Sequence, residues 1–231
     1  MVMNNTYTLK VIAHIHSDFK TKFGIPRQSG IVPELTARII FEPEFNSEDT
    51  LRGIEQFSHL WLIWQFSESV RDNWSATVRP PRLGGNKRVG VFATRSPFRP
   101  NAIGLSCVGL ERVEKDKSGK LCLVVSGADL MDGTPIFDIK PYLPFTDSVR
   151  DADGGFADDR YDYSLKVDFS ENLLNILPAD KRSAAIGILA HDPRPSYQNI
   201  PNRIYGVEFA GYDIKFTVDS DLLTVTDVNK L

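Results

Sequence analysis

The sequence predicts a mainly β protein: a single β-barrel or closed sheet, followed by a small α+β domain. Apolar and polar residues alternate with a period of two more often than with the period of a helix, which is typical of half-buried strands. Six or seven strand-like runs also fall within roughly the first 140 residues without long helices between them, which favours a barrel. The chain has 231 residues, of which 42% are apolar, and this is enough to build such cores.

The first strand is predicted at residues 9–15, where every second residue is apolar and faces one side. Asp116 and Gly119 are turn formers and predict a hairpin between two of the later strands. One short helix is predicted at residues 50–56, capped by Ser47. The other strands of this part are predicted at residues 36–41, 57–66, 88–94, 104–113, 120–126 and 135–140.

The chain changes character at residues 141–162, which combine prolines and glycines with a run of aspartates. This composition is typical of a mobile linker. We therefore predict a barrel domain at 1–146, a linker at 147–164 and an α+β domain at 165–231. Within the last domain, strands are predicted at 165–169, 204–209, 212–218 and 222–228, and helices at 170–177 and 180–189, broken by Pro178.

The overall composition excludes several classes of protein. Two cysteines are too few for a disulfide framework or a cysteine zinc site, so we expect reduced thiols. The sequence has neither a run of eighteen apolar residues nor the features of a signal peptide, so we expect a cytoplasmic protein without a membrane span. The net charge of −3 does not indicate a general polycation.

The charges are unevenly distributed. Residues 71–100 hold seven basic side chains and one acidic side chain, whereas the rest of the chain holds 20 basic and 29 acidic ones. A basic segment on an acidic protein indicates a focused anion site. The alternative is a solvated loop whose arginines lie over apolar neighbours.

Four loops, at residues 22–30, 79–86, 93–106 and 127–142, carry more Gly, Pro, Arg and Asp than a connection requires. Arg27 and Gln28 supply donors that could bind a carboxylate or a ring edge. Prolines flank Arg99 and reduce the entropy that it loses on binding. Each loop alone could be a simple turn, but four in one β domain predict a binding site, because sites are usually built on loops of a rigid sheet.

Other chemistries have weaker signals. His14 and His16 stand on the same face of a strand and could chelate zinc, but polar strand residues are the better interpretation, so we predict no metal. Cys107 has apolar neighbours, which disfavours a nucleophilic role. The sequence has no GxGxxG, GxxxxGK[ST] or GxSxG motif, and this argues against a Rossmann cofactor site, a P-loop and a hydrolase elbow.

Several motifs in a fixed order give the chain a family resemblance. They are Pro26-Arg27-Gln28, Phe57-Ser58-His59-Leu60-Trp61, Arg79-Pro80-Pro81-Arg82-Leu83-Gly84-Gly85, Gly90-Val91-Phe92-Ala93-Thr94-Arg95-Ser96-Pro97-Phe98-Arg99-Pro100-Asn101, Asp132-Gly133-Thr134-Pro135 and Asp138-Ile139-Lys140-Pro141-Tyr142. Over residues 7–145 the sequence resembles the TsaA-like, or TrmO, family of tRNA methyltransferases. Asp192-Pro193-Arg194-Pro195-Ser196-Tyr197 resembles the signature of that family's C-terminal domain.

The resemblance implies an S-adenosylmethionine (SAM) enzyme built on a β-barrel instead of a Rossmann sheet, and a homodimer with SAM sites near its interface. It also implies methylation of N6 of threonylcarbamoyl-adenosine 37, next to the anticodon of threonine tRNA. Where the family often has His after Phe66, this chain has Ser67-Glu68. The residues expected at the SAM site are Pro26, Arg27, Gln28, Ser67, Glu68, Arg95, Leu105, Ala128, Asp129, Leu130, Met131 and Asp132.

Methyl transfer chiefly requires two aligned substrates and the exclusion of water. Asp138 or Tyr142 is the candidate to accept the proton of the methylated nitrogen. The residues expected to bind RNA are Arg79, Arg82, Lys87, Arg88, Arg99, Arg194 and Tyr197. Two alternatives stay open at this point: a non-catalytic RNA-binding barrel, and a SAM-dependent methyltransferase of a small molecule.

Overall fold

The computed structural model describes residues 6–80, 87–160, 163–194, 200 and 203–231. Six antiparallel strands of the N-terminal part pair in the order β1-β2-β7-β6-β3-β8, and β8 pairs again with β1, so the sheet closes into a barrel. A two-stranded ribbon, β4-β5, lies outside this ring. The strands of this part are β1 Ala13–His16, β2 Thr36–Phe41, β3 His59–Gln65, β4 Thr77–Val78, β5 Val89–Gly90, β6 Ile103–Lys115, β7 Leu121–Ser126 and β8 Pro135–Pro141.

The interior of the barrel is filled by the alternate residues of its strands. Ile15, Ile39, Leu62 and Ile136 are completely buried there. Side chains on one strand point alternately inward and outward, so this set follows from the alternation in the sequence. Burying each such side chain contributes about 1.5–3 kcal/mol to stability.

The C-terminal part contains a four-stranded sheet in the order β10-β11-β12-β9, with a parallel pair at its β9 edge. A second apolar core lies between this sheet and a helix, and it includes Ile214, Phe216 and Val218, which share one face of a strand. The elements are β9 Lys166–Asp168, β10 Tyr205–Phe209, β11 Tyr212–Asp219 and β12 Leu222–Lys230, with helices α1 Glu48–Leu51 and α2 Pro144–Asp147 in the first part and α3 Glu171–Leu174 and α4 Arg182–Ala190 in the second.

The second core is completed by the segment between β1 and β2. Phe19, Val32 and Leu35 are buried in it, and the ring of Phe19 lies 5.5 Å from that of Phe209. An added Cβ at Gly24 would lie 2.2 Å from a methyl carbon of Val207, so β10 leaves no space for a side chain there. The segment 19–35 therefore packs between the barrel and the C-terminal sheet.

Most predicted elements are present, and the mainly β class is confirmed. The strand predicted at 88–94 is wrong beyond Gly90, because residues 91–93 form a 3-10 turn. The helix predicted at 50–56 is divided, since Gly53 has a φ of +87° and a 3-10 turn follows it. The first strand begins only at Ala13. A left-handed glycine such as Gly53 interrupts a helix, and a hydrophobic pattern does not register such local backbone conformation.

In the part of the chain that the structure describes, no helix is both long enough and apolar enough to cross a bilayer.

Gly127 lies where two backbones approach each other closely. It has a φ of +70°, and an added Cβ would lie 3.1 Å from Cα of Gly30. The substitution Gly127→Ala is expected to lower the free energy of unfolding by about 1–3 kcal/mol, because the left-handed conformation and the backbone contact both oppose the methyl group.

Gly119→Ala is the matched control, because Gly119 has a φ of +82° and nothing within 4 Å of the added Cβ. Urea denaturation of both variants separates the free-energy cost of the left-handed conformation from that of the backbone contact. If the two variants lose the same free energy, the backbone contact between Gly30 and Gly127 does not constrain the fold.

Candidate functional site

The loop at residues 26–30 is held against the barrel by its own backbone. The N–H of Gly30 donates to the carbonyl of Gly127 at 2.8 Å. The backbone N–H of Cys107 donates to Oγ of Ser29 at 3.0 Å, which ties the same loop to β6. Pro26 is buried and Arg27 is exposed. The loop therefore has a fixed base and presents polar side chains.

Arg95 joins this loop from a different region of the chain. Its guanidinium donates a hydrogen bond to the side-chain oxygen of Gln28, and the Gln28 amide donates to the carbonyl of Arg27. Arg95 is itself exposed. Two of the four loops singled out from the sequence thus meet at this point.

Asp129 brings a further one of the four loops, residues 127–142, to the same place. Its carboxylate accepts a hydrogen bond of 2.6 Å from the hydroxyl of Ser106, whose oxygen accepts one of 2.9 Å from Nε1 of Trp64. Burial raises the pKa of Asp129 above its ordinary value, and the hydrogen bond from Ser106, the charge of Arg95 and the N–H of Ser29 offset only part of this effect. A largely buried carboxyl group therefore lies beside the loop at 26–30 and beside Arg95.

Sequence reasoning did not single out Trp64, and it included Ser106 only as the last residue of the loop at 93–106. Both are buried, and Gly104 is the reason that the indole fits, because an added Cβ there would lie 2.3 Å from its ring. The available signal was a serine at an inward position of a strand, between Gly104 and Val108. A buried hydroxyl requires a partner.

The other apolar residues of the predicted SAM-binding stretch 128–132 differ in burial. Ala128 and Leu130 are buried in the barrel core, so only their backbones could reach a ligand. Met131 is half-buried, and its carbonyl accepts from Thr134 at 2.7 Å.

Asp132 binds the end of β1 instead of the cluster at Asp129. It accepts from Nζ of Lys20 at 2.6 Å and from the N–H of Ser17 at 3.2 Å. Partial burial alone would raise the pKa of Asp132, but these hydrogen bonds and the charges of Lys20 and His16 lower it below its ordinary value. In the structure, Asp132 therefore stabilises the turn after β1.

The predicted proton acceptors lie on the outer face of the barrel. Asp138 pairs with Ile63 on β3, which pairs with Leu105 on β6, so the three share one row across the sheet. The carboxylate of Asp138 forms an ion pair of 3.0 Å with Lys140. Leu105 is 55% exposed.

Tyr142 lies near this row. Its ring centroid is 5.8 Å from that of Trp61 and 6.2 Å from that of His59. Cys107 is on the same face, and burial followed by the charge of Asp147 raises the pKa of its thiol. The protonated thiol is a poor nucleophile.

Ser67 and Glu68 are exposed on the 3-10 turn after β3. Among the described residues, no hydrogen bond or ion pair joins either of them to Gln28, Arg95 or Asp129. Their predicted contact with SAM stays a prediction.

The predicted RNA-binding cations lie mostly around the β4-β5 ribbon. Arg79, Lys87 and Arg88 are exposed, and Arg88 reaches the hydroxyl of Thr77 at 3.4 Å. Arg99 is half-buried and donates to the carbonyl of Thr94 at 3.1 Å. Arg82 and Tyr197 lie outside the described residues.

Arg194 differs from the expectation. Its side chain is only 8% exposed, and its guanidinium binds both carboxylate oxygens of Asp192, at 2.8 and 2.9 Å. A buried cation that already has a carboxylate partner is a poor phosphate ligand. The structure therefore gives Arg194 a structural contact where the sequence predicted an RNA contact.

The histidines of β1 each have a carboxylate neighbour. Nδ1 of His14 lies 2.9 Å from Glu42, and Nδ1 of His16 lies 3.3 Å from Asp132. Within the described ranges, no group of three or more His, Cys, Asp or Glu side chains could hold a metal ion.

The pKa of Asp129 predicts how stability depends on pH. The unfolded carboxyl group titrates near 3.8 and the folded one at a higher pH, so between these values the folded protein binds more protons than the unfolded protein. The free energy of unfolding should therefore fall as pH rises through this window. Asp129→Asn keeps the side-chain shape and should remove the decline, as measured by urea denaturation from about pH 4 to about pH 8.

Asp147→Asn is a control of opposite sign. Hydrogen bonds from the N–H of Leu143 and then from the indole of Trp61 lower the pKa of Asp147. The contribution of Asp147 to the free energy of unfolding should therefore be lost as pH falls. A pH profile of Asp129→Asn that is parallel to that of the parent would contradict a raised pKa at Asp129.

Both halves of the chain match known families. Residues 14–148 match the family model of the tRNA-methyltransferase O N-terminal domain, and residues 162–231 match that of the TrmO C-terminal domain. A tRNA (adenine(37)-N6)-methyltransferase of Escherichia coli is 39% identical over 222 residues, which cover 93% of this chain and 94% of that protein.

Two further relatives agree with this match. A Pseudomonas aeruginosa protein is 41% identical over an alignment of 232 residues, which covers 96% of this chain and 98% of that protein. Its name assigns it provisionally to the S-adenosylmethionine-dependent methyltransferases. A crystal structure of TrmO from Pseudomonas aeruginosa superposes with a TM-score of 0.80 at 34% identity and covers 97% of this chain and 99% of that chain. The family to which the ordered motifs pointed is confirmed: the chain belongs to the tRNA-methyltransferase O (TrmO) family.

Proposed function

We propose that this protein is a SAM-dependent tRNA methyltransferase that methylates N6 of adenosine 37, beside the anticodon. The finer proposal is that the substrate is threonylcarbamoyl-adenosine 37 of threonine tRNA. Family membership and the names of the relatives support the reaction. The structural observation that carries the proposal is the convergence of Ser29, Arg95 and Ser106 on the largely buried carboxyl group of Asp129.

The residues of this cluster fit SAM, which has a sulfonium, an α-amino group, a carboxylate and ribose hydroxyls. Asp129 offers an acceptor for cationic groups or hydroxyls, and Arg95 offers donors for a carboxylate. The Gly30–Gly127 contact leaves no side chain at the base of the loop. We therefore propose that SAM binds here, on a barrel that takes the place of a Rossmann sheet.

The bound SAM would supply an activated methyl group whose carbon–sulfur bond breaks as the N6 nitrogen of adenosine forms its new bond. The protein has two tasks in this reaction: to align the substrates and to accept one proton from that nitrogen. Asp138 is the proposed acceptor, with Lys140 holding its carboxylate at 3.0 Å. Tyr142, packed against Trp61, is the alternative acceptor or a stacking surface for the adenine.

The basic residues around the β4-β5 ribbon are proposed to bind tRNA phosphates. Arg79, Lys87 and Arg88 are all exposed, and Arg95 and Arg99 follow β5 in the sequence. Such contacts position an RNA and weaken as salt rises. They would direct the anticodon loop toward the cluster at Asp129.

We further propose that the protein is a homodimer that acts in the cytoplasm, where tRNA is abundant, and that it has the predicted division into barrel, linker and C-terminal domain. Ile103 and Leu105 are exposed on the outer face of β6, and Phe145 is exposed after β8. Exposed apolar side chains are typical of protein interfaces when they form a patch. A dimer through this face would bring each SAM site close to the interface.

Removal of Arg95 tests the cofactor site. Arg95→Ala is expected to weaken SAM binding about tenfold or more, because a charge-assisted hydrogen bond is lost. Isothermal titration calorimetry measures this directly. Arg88→Ala is the control, because it removes an exposed cation of the ribbon and should retain the affinity for SAM. Parental affinity in Arg95→Ala would remove that residue from the site.

Methylation of tRNA tests the reaction. Protein supplied with labelled SAM should label tRNA from cells that lack the modification, and nucleoside mass spectrometry should find the methyl group on N6 of adenosine 37. Labelling of a small molecule alone, or SAM binding without any turnover, would contradict the proposal.

Charge reversal separates RNA binding from cofactor binding. Replacing Arg79 and Arg82 by Glu should abolish measurable tRNA binding at physiological salt and leave the affinity for SAM intact, because their proposed role is to bind phosphates and not the cofactor. Filter binding and calorimetry on the same preparation provide both values. Unchanged tRNA turnover would show that the ribbon does not bind the substrate.

A further inference from the structure

A groove of about 180 Å³ lies between the turn after β3 and the loop that carries Arg95. Its lining includes Arg71, Trp74, Phe98 and Arg99, and no acidic side chain among the described residues lines it. None of the residues predicted from the sequence to contact SAM lines it either. It is therefore a concave surface distinct from the cluster at Asp129.

Large aromatic rings are exposed in and beside this groove. Trp74 is 54% exposed and Phe92 is 75% exposed, and their ring centroids are 6.5 Å apart. Phe98 is also exposed. Exposed apolar rings indicate a binding site when they form a patch on the surface of a protein. Planar rings of this kind bind other planar groups by stacking.

Two guanidinium groups accompany the rings. The guanidinium carbon of Arg71 lies 4.0 Å from the centroid of Phe98, and Arg99 donates to the carbonyl of Thr94. Among the described residues, neither arginine forms an ion pair with a carboxylate. Cations without an acidic partner, next to exposed aromatic faces, are complementary to an anionic ligand with a planar ring.

We propose that this groove binds one unpaired nucleotide of the RNA substrate. Its base would stack on Trp74 and Phe98, and its phosphate would bind Arg71 and Arg99. A single-stranded loop is required, because bases in a duplex do not offer their faces to side chains. Stacking with nearby cations is the general mode of binding to single strands.

The position of the groove in the chain supports a role beside the proposed reaction. Arg99 of the groove and Arg95 of the cofactor cluster are four residues apart on one loop, so their Cα atoms lie within about 14 Å of each other. A nucleotide in the groove would therefore neighbour the methylated adenosine in the anticodon loop. The inference rests on the proposed function and adds a specific contact to it.

A series of RNA hairpins with the sequence of the anticodon stem-loop tests this proposal. Each hairpin carries one abasic nucleotide at a different loop position, and fluorescence anisotropy measures its affinity for the parent and for Trp74→Ala. With the intact hairpin, Trp74→Ala should lose roughly 5- to 150-fold in affinity, the range for one stacked base. At one loop position the abasic hairpin should bind both proteins equally, because the stacked base is already absent.

The controls separate stacking from charge and from misfolding. Trp74→Phe should restore most of the affinity, and Tyr7→Ala, which removes a highly exposed aromatic ring that does not line the groove, should bind like the parent. Arg71→Ala should reduce the slope of log affinity against log salt by about one, whereas Trp74→Ala should leave this slope unchanged.

Two results would overturn the inference: parental affinity of Trp74→Ala for the intact hairpin, or the same loss for Trp74→Ala at every abasic position. Neither result depends on turnover. Methylation of tRNA by the parent protein decides the proposed function separately, so a failure of the groove and a failure of the reaction can be told apart.

Discussion

The close contact between Gly30 and Gly127 determines where the candidate site can form. The N–H of Gly30 bonds to the carbonyl of Gly127, and the N–H of Gly127 bonds to Leu35, so the loop after β1 lies directly on the connection after β7. From this base the loop presents Gln28 to Arg95 and Ser29 to β6. A side chain at Gly127 would separate the two backbones, because an added Cβ there would lie 3.1 Å from Cα of Gly30, and the residues that meet at Asp129 would move apart.

A second constraint is the polar chain inside one end of the barrel. A carboxyl group that leaves water is costly unless hydrogen bonds compensate it. Here Ser106 donates to Asp129 and Trp64 donates to Ser106, so the three groups partly satisfy one another. The interior of the barrel is therefore partly polar at the end that holds the proposed cofactor cluster. The raised pKa of Asp129 is the consequence of this burial.

Much of the fold could be predicted from alternation, because the residues that line the barrel follow a period of two. The strand at Thr36–Phe41 is a clear case: its bounds agree with those predicted, and Ala37, Ile39 and Phe41 are buried. Alternation could not reveal that Gly53 divides a helix, or that residues 91–93 turn away from the sheet. Both depend on local backbone conformation, which a hydrophobic pattern does not encode.

The spatial cluster was predicted in part. Gln28, Arg95 and Asp129, which the family resemblance implies at one site, are close in space although they are distant in sequence. The motifs did not distinguish Asp132, which binds Lys20, from Asp129, and they did not identify Arg194 as the buried partner of Asp192. These differences arise because a motif marks residue types, whereas burial and ion pairing depend on which neighbours the fold supplies.

The segment 19–35 has a consequence for the way in which the protein matures. Phe19, Val32 and Leu35 belong to a core whose other members include Val225 and Val228 on β12, yet the same segment carries the loop with Gln28 and Ser29. β12 is synthesised long after this segment, so a nascent or truncated chain that lacks β12 cannot complete the core that supports this loop. The loop that carries Gln28 and Ser29 would therefore reach its full support only after β12 has joined the second core.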